Sequence, residues 1–471
     1  MFVGRQRELD ALDRLYAKPS FQMLVLYGRR RVGKTTLLEH FAKGKPSVFF
    51  TAKEQSSARN LQEFSQALFE YFDTAEGLAA FDSWGAAFSF LAKRVKGQSE
   101  KLVFVFDEFP YAAATDPSLP SVLQVAIDRE LKSANVLLVL SGSNEGFMES
   151  NVLGGKSPLY GRRTAQIKLE PFDYYDAAKM LPAVTDPREL VRYYATFGGT
   201  PYYLAQINDG ESYLDNINGL FFETSGLLYE EPLMLLRQEL REPSLYNSIL
   251  YAVASGATSP KGIAERAGVE SGTTSRYLKT LEDLGLISRM VPFGENPARS
   301  KRSIYRLKDP FFAYWYRFVG PNIGAIEAGA GRAVAEKRAV GEALAAYEGY
   351  AFERVCRQWL QRANQNDALP FLATEFGSWW GTNPAKREQT DIDVIAADRQ
   401  EKKILLGECK WRESVNETEA LKNLEERVGL VKGYEDCWLY LFTKNPVAKG
   451  TARKGEEGVC RFMDAEGLFA F

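Results

Sequence analysis

The segment QMLVLYGRRRVGKTTLLEHF carries residue types that together can hold a chain of phosphates. Gly28 and Gly33 bracket a loop, and Lys34 and Thr35 follow directly. Glycine at both ends lets the backbone wrap a phosphate and aim its N–H groups inward. The helix that the pattern predicts from Lys34 adds its positive amino end, Lys34 neutralises the β and γ phosphates, and the Thr35 hydroxyl is a ligand for Mg²⁺. Each charge-assisted hydrogen bond of this kind contributes about 1.5–3 kcal/mol, so several together hold a nucleotide. The candidate cradle is Gly28, Arg29, Arg30, Arg31, Val32, Gly33, Lys34, Thr35 and Thr36, with no separate role given to the three arginine side chains. A second group follows in KLVFVFDEFPYAA, where an apolar run ends in Asp107 and Glu108. Asp107, at the carboxyl end of a buried parallel strand, suits the water shell of Mg²⁺. Glu108 suits the polarisation of an attacking water; the bland alternative is a pair of solvated acids.

Another constellation lies in the last quarter. EGYAFERVCRQWL puts Glu353 on a helix, and QTDIDVIAAD is a strand with Asp391 and Asp393 on one face. KKILLGECKW follows as a strand with Glu408 and Lys410 on a common face. An acid on one strand and E-x-K on the next is the spacing of a PD-(D/E)XK nuclease core. Two carboxylates about 4 Å apart repel by about 4 kcal/mol at an effective dielectric of about 20, so a bound cation is their natural resolution. Oxygen ligands from Asp393 and Glu408 favour Mg²⁺ or Mn²⁺, with Lys410 positioning the water and Glu353 assisting. The competing reading is an ordinary strand salt bridge between Glu408 and Lys410.

The elements that must position these groups are legible in the apolar pattern. SVFFTA (47–52) and ANVLLVLSGSNEG (134–146) read as further strands, the latter ending in Ser141 and Ser143, hydroxyls placed to sense a γ-phosphate or the water. With the phosphate loop they predict an α/β fold: a parallel-sheet core with helices on both faces over residues 1–170. His40, the single histidine, falls on the helix after the loop and reads as packing or surface. Residues 171–230 fit a helical lid. Residues 231–308 fit a winged helix-turn-helix: three helices, then strands LISRM and SIYRL around ENPARSK. In its third helix Leu278, Leu281 and Leu284 are expected inside, and Thr273, Thr274, Arg276 and Lys279 outside. The wing and return strand offer Arg299, Lys301, Arg302, Arg306 and Lys308, a stripe suited to DNA phosphates or, alternatively, hidden in domain packing. Residues 309–345 read as an aromatic hinge and linker, and 346–471 as the α/β nuclease-like domain.

With 471 residues, the chain is too long for one core. Its 45% hydrophobic and 25% charged content excludes a disordered or fibrous chain. The 59 basic and 61 acidic residues exclude a globally basic nucleic-acid coat protein, though not a local basic patch. No apolar run reaches the length of a membrane span, and the charged opening argues against an export signal. Cys356, Cys409, Cys437 and Cys460 show no CxxC spacing and read as reduced thiols, which points to the cytoplasm.

In order, MFVGRQREL, GRRRVGKT, VFDEFPY, LSGSNEG, SPLYGRRT and GGTPYYL resemble the archaeal-type ATPase family, a branch of P-loop NTPases related to AAA-like and signalling (STAND) ATPases. The resemblance implies ATP as the nucleotide, Gly4, Arg5 and Glu8 near the adenine, and Arg162 or Arg163 reaching the γ-phosphate. It also implies a lid segment, Gly198 to Pro201, whose Pro201 touches the base. The chain from RLKDPFFAYW onward resembles the nuclease-like domain of unassigned function that accompanies these ATPases. There the family's motifs fall on Gly349 to Glu353, on Asp391, Ile392 and Asp393 (Asp standing first where the family has Glu), and on Glu408 to Trp411. The expectation is an ATP-hydrolysing switch that couples nucleotide state to DNA binding, with metal-dependent cleavage left open. Its rivals are a signalling scaffold and a transcription-regulating ATPase, each with an inactive nuclease-like domain. A homo-oligomer or a protein partner fits any of these.

Overall fold

The computed structural model describes residues 2–73, 79–448 and 460–470, and the chain divides into two compact units, 1–171 and 172–471. In the first unit five strands form one parallel sheet: β1 (Gln22–Tyr27), β2 (Ser47–Thr51), β3 (Leu102–Asp107), β4 (Val136–Gly142) and β5 (Ala165–Lys168). They lie in the order β2-β3-β4-β1-β5. β1, β3 and β4 are buried along their whole length, which is why they read as unbroken apolar runs.

The two-residue alternation of each strand divides its side chains between two cores. Met23, Val25, Phe104, Phe106, Leu138 and Leu140 join the aromatic helices Ser57–Tyr71 and Trp84–Val95 on one face. Leu24, Leu26, Val103, Val105, Leu137 and Val139 meet Leu37, Leu38 and Phe41 of the helix Lys34–Ala42 on the other. Because every strand runs the same way, the loop after Tyr27, the acids after Phe106 and the serines of β4 gather at one sheet edge. His40 lies parallel to Phe2, with ring centroids 3.9 Å apart, as a packing residue.

The second unit is mostly helical up to its terminal sheet. Helices Pro243–Ala254, Pro260–Ala267 and Ser271–Asp283 precede the antiparallel hairpin β6 (Ile287–Met290) and β7 (Ile304–Leu307), forming the winged helix. Gly268, at φ 67°, stops the second of these helices. In the third, Leu278 and Leu281 are buried as expected, but Leu284 is only half-buried. Thr274, expected outside, is fully buried and bonds the Glu270 carbonyl at 3.0 Å.

The 309–345 stretch differs from a hinge. Phe311, Phe312, Tyr314, Trp315, Tyr316, Phe318 and Val319 are all buried, and Trp315 Nε1 donates to the Tyr229 carbonyl at 2.7 Å. Its aromatic content is core rather than connection. Five strands close the chain: β8 (Glu375–Asn383), β9 (Glu388–Asp398), β10 (Lys403–Lys410), β11 (Asp436–Thr443) and β12 (Arg461–Met463). β8, β9 and β10 pair antiparallel, while β10, β11 and β12 pair parallel. The 25-residue helix Gly341–Gln365 packs on this sheet through Phe352, Val355, Trp359 and Leu360. No helix among the described residues is long and apolar enough to cross a membrane.

Candidate functional site

The phosphate loop depends on two unusual backbone positions. A Cβ at Gly28 would lie 2.4 Å from the Leu169 carbonyl oxygen, so only glycine permits the close approach of loop and β5 exit. Gly33 caps the next helix in the left-handed region, with φ 89°. Arg31 and Glu108 also hold positive φ, 70° and 49°, a local strain that clusters at functional sites.

Lys34 is buried, and its Nζ donates to the carbonyls of Gly28 at 2.9 Å and Arg29 at 3.2 Å. Burial lowers its pKa, opposed by the charges of Glu108 and Asp107. The buried ammonium thus rests on two neutral carbonyls. Thr35 Oγ1 donates to Asp107 Oδ2 at 2.7 Å, joining the two expected magnesium-side groups across the sheet edge. The Ser141 hydroxyl is fully buried beside them without a hydrogen-bond partner among the described residues. Glu108 Oε2 accepts from Ser143 Oγ at 2.9 Å and from Ser143 N at 3.2 Å.

Other expected residues sit differently. Arg5 is buried and clamps backbone, its guanidinium donating to the carbonyls of Val32 at 2.9 Å and Glu170 at 2.8 Å. With Gly4 at φ 64°, it ties the amino-terminal segment to the loop. Arg29, given no separate role, is buried, and Arg30 donates to the Tyr111 hydroxyl at 2.6 Å. Arg162 is not brought to the phosphate loop. It lies just before β5, where Thr164 N bonds the Met23 carbonyl at the amino end of β1. The loop leaves the opposite end, a six-residue strand or about 20 Å away. There Arg162 Nη2 pairs with Asp128 at 2.8 Å and, with Lys132, holds that carboxyl down at about 2. Arg163 donates instead to the Leu153 carbonyl. Pro201 opens a short helix, Pro201–Leu204, in the second unit.

In the terminal sheet the expected acids do converge. β9 and β10 run antiparallel, with Val394 opposite Gly407, so Asp393 and Glu408 are neighbours. Asp393 Oδ2 accepts from Cys409 N at 2.7 Å, and burial, then Glu408 and Glu353, raise its pKa. Burial likewise raises Glu353, whose carboxylate lies 3.8 Å from Arg306 Nη1. Glu408 is buried and ion-paired to Lys410 and to Arg427, the latter absent from the sequence expectation. Among the described residues no three His, Cys, Asp or Glu side chains group in a way that could hold a metal; the two expected ligands, Asp393 and Glu408, are neighbours, and both oxygens of Glu408 are paired with cations. The wing, for its part, meets β8: Phe293 N donates to Ser378 O at 2.8 Å, and Arg302 binds Glu295 and the Trp380 carbonyl. Arg299 and Lys301 remain exposed.

Residues 2–207 match the family model of an ATPase domain predominantly from Archaea. Over 414 residues, 88% of each chain, the sequence is 30% identical to an uncharacterized protein of Methanocaldococcus jannaschii. The chain belongs to the archaeal-type P-loop ATPase family. Further matches are residues 247–289 with bacterial regulatory proteins of the arsR family and residues 315–422 with archaeal and bacterial proteins of unknown function. Two solved structures are similar in part. The Walker-type ATPase of Pyrococcus abyssi has a TM-score of 0.49 and 20% identity, covering 67% of this chain and 96% of its own. The ORC2 protein of Aeropyrum pernix, in ADPNP and ADP complexes, has 0.43 and 15%, covering 69% and 94%.

In this ATPase a buried lysine, a threonine–aspartate pair and a strained glutamate lie together at one sheet edge. Three contacts at the candidate sites escape a reading by spacing alone. The Glu108–Ser143 bond spans 35 positions and follows from β3 and β4 being neighbours. Arg5 is coupled to Val32, and Arg427 to Glu408, with no local pattern announcing either.

Proposed function

We propose that this ATPase is a nucleotide-driven switch whose ATP state governs how its second unit engages DNA. The observation that carries the reading is the Thr35–Asp107 bond beside the buried Lys34, a charge arrangement complementary to a metal-bound triphosphate. Thr35 and Asp107 would hold Mg²⁺, which when bound neutralises charge on the phosphates. Lys34 leaves its carbonyls for the β and γ phosphates, Gly28 to Gly33 supply backbone N–H groups, and Ser141 contributes its unused hydroxyl. Glu108 leaves Ser143 to orient a water and take its proton as the water attacks the γ-phosphorus. The bond from that phosphorus to the bridging oxygen breaks, and ADP and phosphate depart.

DNA engagement is supported by the winged helix, with Arg276 exposed on its third helix and Arg299 and Lys301 exposed on the wing. Such groups act on phosphates and carry no base-specific reading. A test is fluorescence anisotropy of duplex DNA at stepped salt, with ATP, with ADP and without nucleotide. Affinity should fall steeply with salt and differ between nucleotide states, and neutralising Arg299 and Lys301 should lower the salt slope by about 1 for each phosphate no longer neutralised. Binding indifferent to both salt and nucleotide would end the proposal. The docked wing favours a second reading, a signalling scaffold in which the winged helix is a packing module; it predicts ATP hydrolysis with no DNA affinity in any state.

A further inference from the structure

We propose that Arg427 takes the place of a divalent metal ion in the C-terminal acid centre, which is thereby filled by the chain's own cations instead of loading Mg²⁺ or Mn²⁺. Glu408, the acid of the E-x-K pattern, is only 4% exposed. One of its oxygens pairs with Lys410 Nζ and the other with Arg427 Nη1. Arg427 is fixed from behind, its Nε donating to Thr390 Oγ1 of β9 at 3.1 Å, and its side chain is 13% exposed. It comes from the turn after the helix Glu417–Glu425 and is tied to β9 by this bond.

A hard divalent ion needs oxygens from different residues converging on one point. Here both oxygens of Glu408 face cations, and one oxygen of Asp393 faces the Cys409 N–H. Glu353, the third acid, faces Arg306. Lys410 and Arg427 bring two positive charges to one carboxylate, the charge that a divalent ion would bring. A guanidinium is charged at every physiological pH and planar, and it holds a carboxylate through directed hydrogen bonds. It supplies the charge of a metal ion without a bound water to activate.

Manganese binding tests the assignment independently of hydrolysis and DNA affinity. The full chain, without nucleotide, is titrated with Mn²⁺ and bound ion is followed by electron paramagnetic resonance. In the wild type, Asp393→Asn should change nothing, because no ion enters this centre. Arg427→Gln frees Glu408 and should gain one bound Mn²⁺, at least about tenfold tighter than any wild-type uptake, which Asp393→Asn then removes. Arg427→Lys keeps a cation and should still exclude the metal. Wild-type Mn²⁺ binding lost on Asp393→Asn would overturn the proposal, and so would a folded Arg427→Gln variant that gains none. Should Arg427→Gln fail to fold, the wild-type and Arg427→Lys titrations still decide between the two outcomes.

Discussion

Two centres of this chain put a lysine and buried carboxylates at the end of parallel or adjacent strands, yet they satisfy them in opposite ways. At the phosphate loop, Lys34 rests on two carbonyl oxygens, and Asp107 accepts from a hydroxyl. Those partners are dipoles, each exchangeable at a net cost of about 1 kcal/mol. At the terminal sheet Glu408 is matched by two full charges, Lys410 and Arg427. Removing one partner of a buried ion pair costs about 3–5 kcal/mol, because the charge left behind has nowhere to go. The first centre is held by exchangeable dipoles, and Glu408 of the second by full charges. The residue inventory is nearly the same, so partner type rather than composition sets the difference.

The same substitution made at both centres is the sharpest way to break this contrast. Lys34→Ala should lower phosphate release by about 10³-fold while changing thermal stability little; sustained hydrolysis would refute the site. Glu108→Gln should reduce turnover by about 10²-fold and leave nucleotide affinity, measured by calorimetry, near the wild-type value. Lys410→Ala should leave ATP turnover unchanged and cost at most about 1 kcal/mol of unfolding free energy, since its ammonium is partly exposed and Arg427 remains. A loss of ATP turnover in Lys410→Ala would erase the distinction between the two centres.

Local signals carry far in this sequence. The glycine spacing around residues 28–33, the acids after an apolar run and the serines of β4 each announce a strand end, and the parallel sheet puts all three at one edge. The winged helix is equally legible, through apolar periodicity and Gly268. What spacing cannot convey is which distant side chain answers a charge. Arg162 sits in a motif that resembles a γ-phosphate arginine, but the parallel register of β5 on β1 carries it to the amino edge, where Asp128 meets it. The aromatic stretch after Lys308 reads as a connector because glycines and alanines follow it, whereas its rings are needed inside.

That stretch has a practical corollary. Trp315 is bonded to Tyr229, and the Tyr347 hydroxyl, at the start of the last domain, lies within 2.9 Å of both the Ala195 and Pro310 carbonyls. A truncation placed between 311 and 318 would cut through packed rings, and one placed anywhere from there to 345 would part them from Tyr347. Gene fusions or expression fragments that borrow the winged helix or the terminal sheet must therefore carry the whole of 172–471 as one inheritable block.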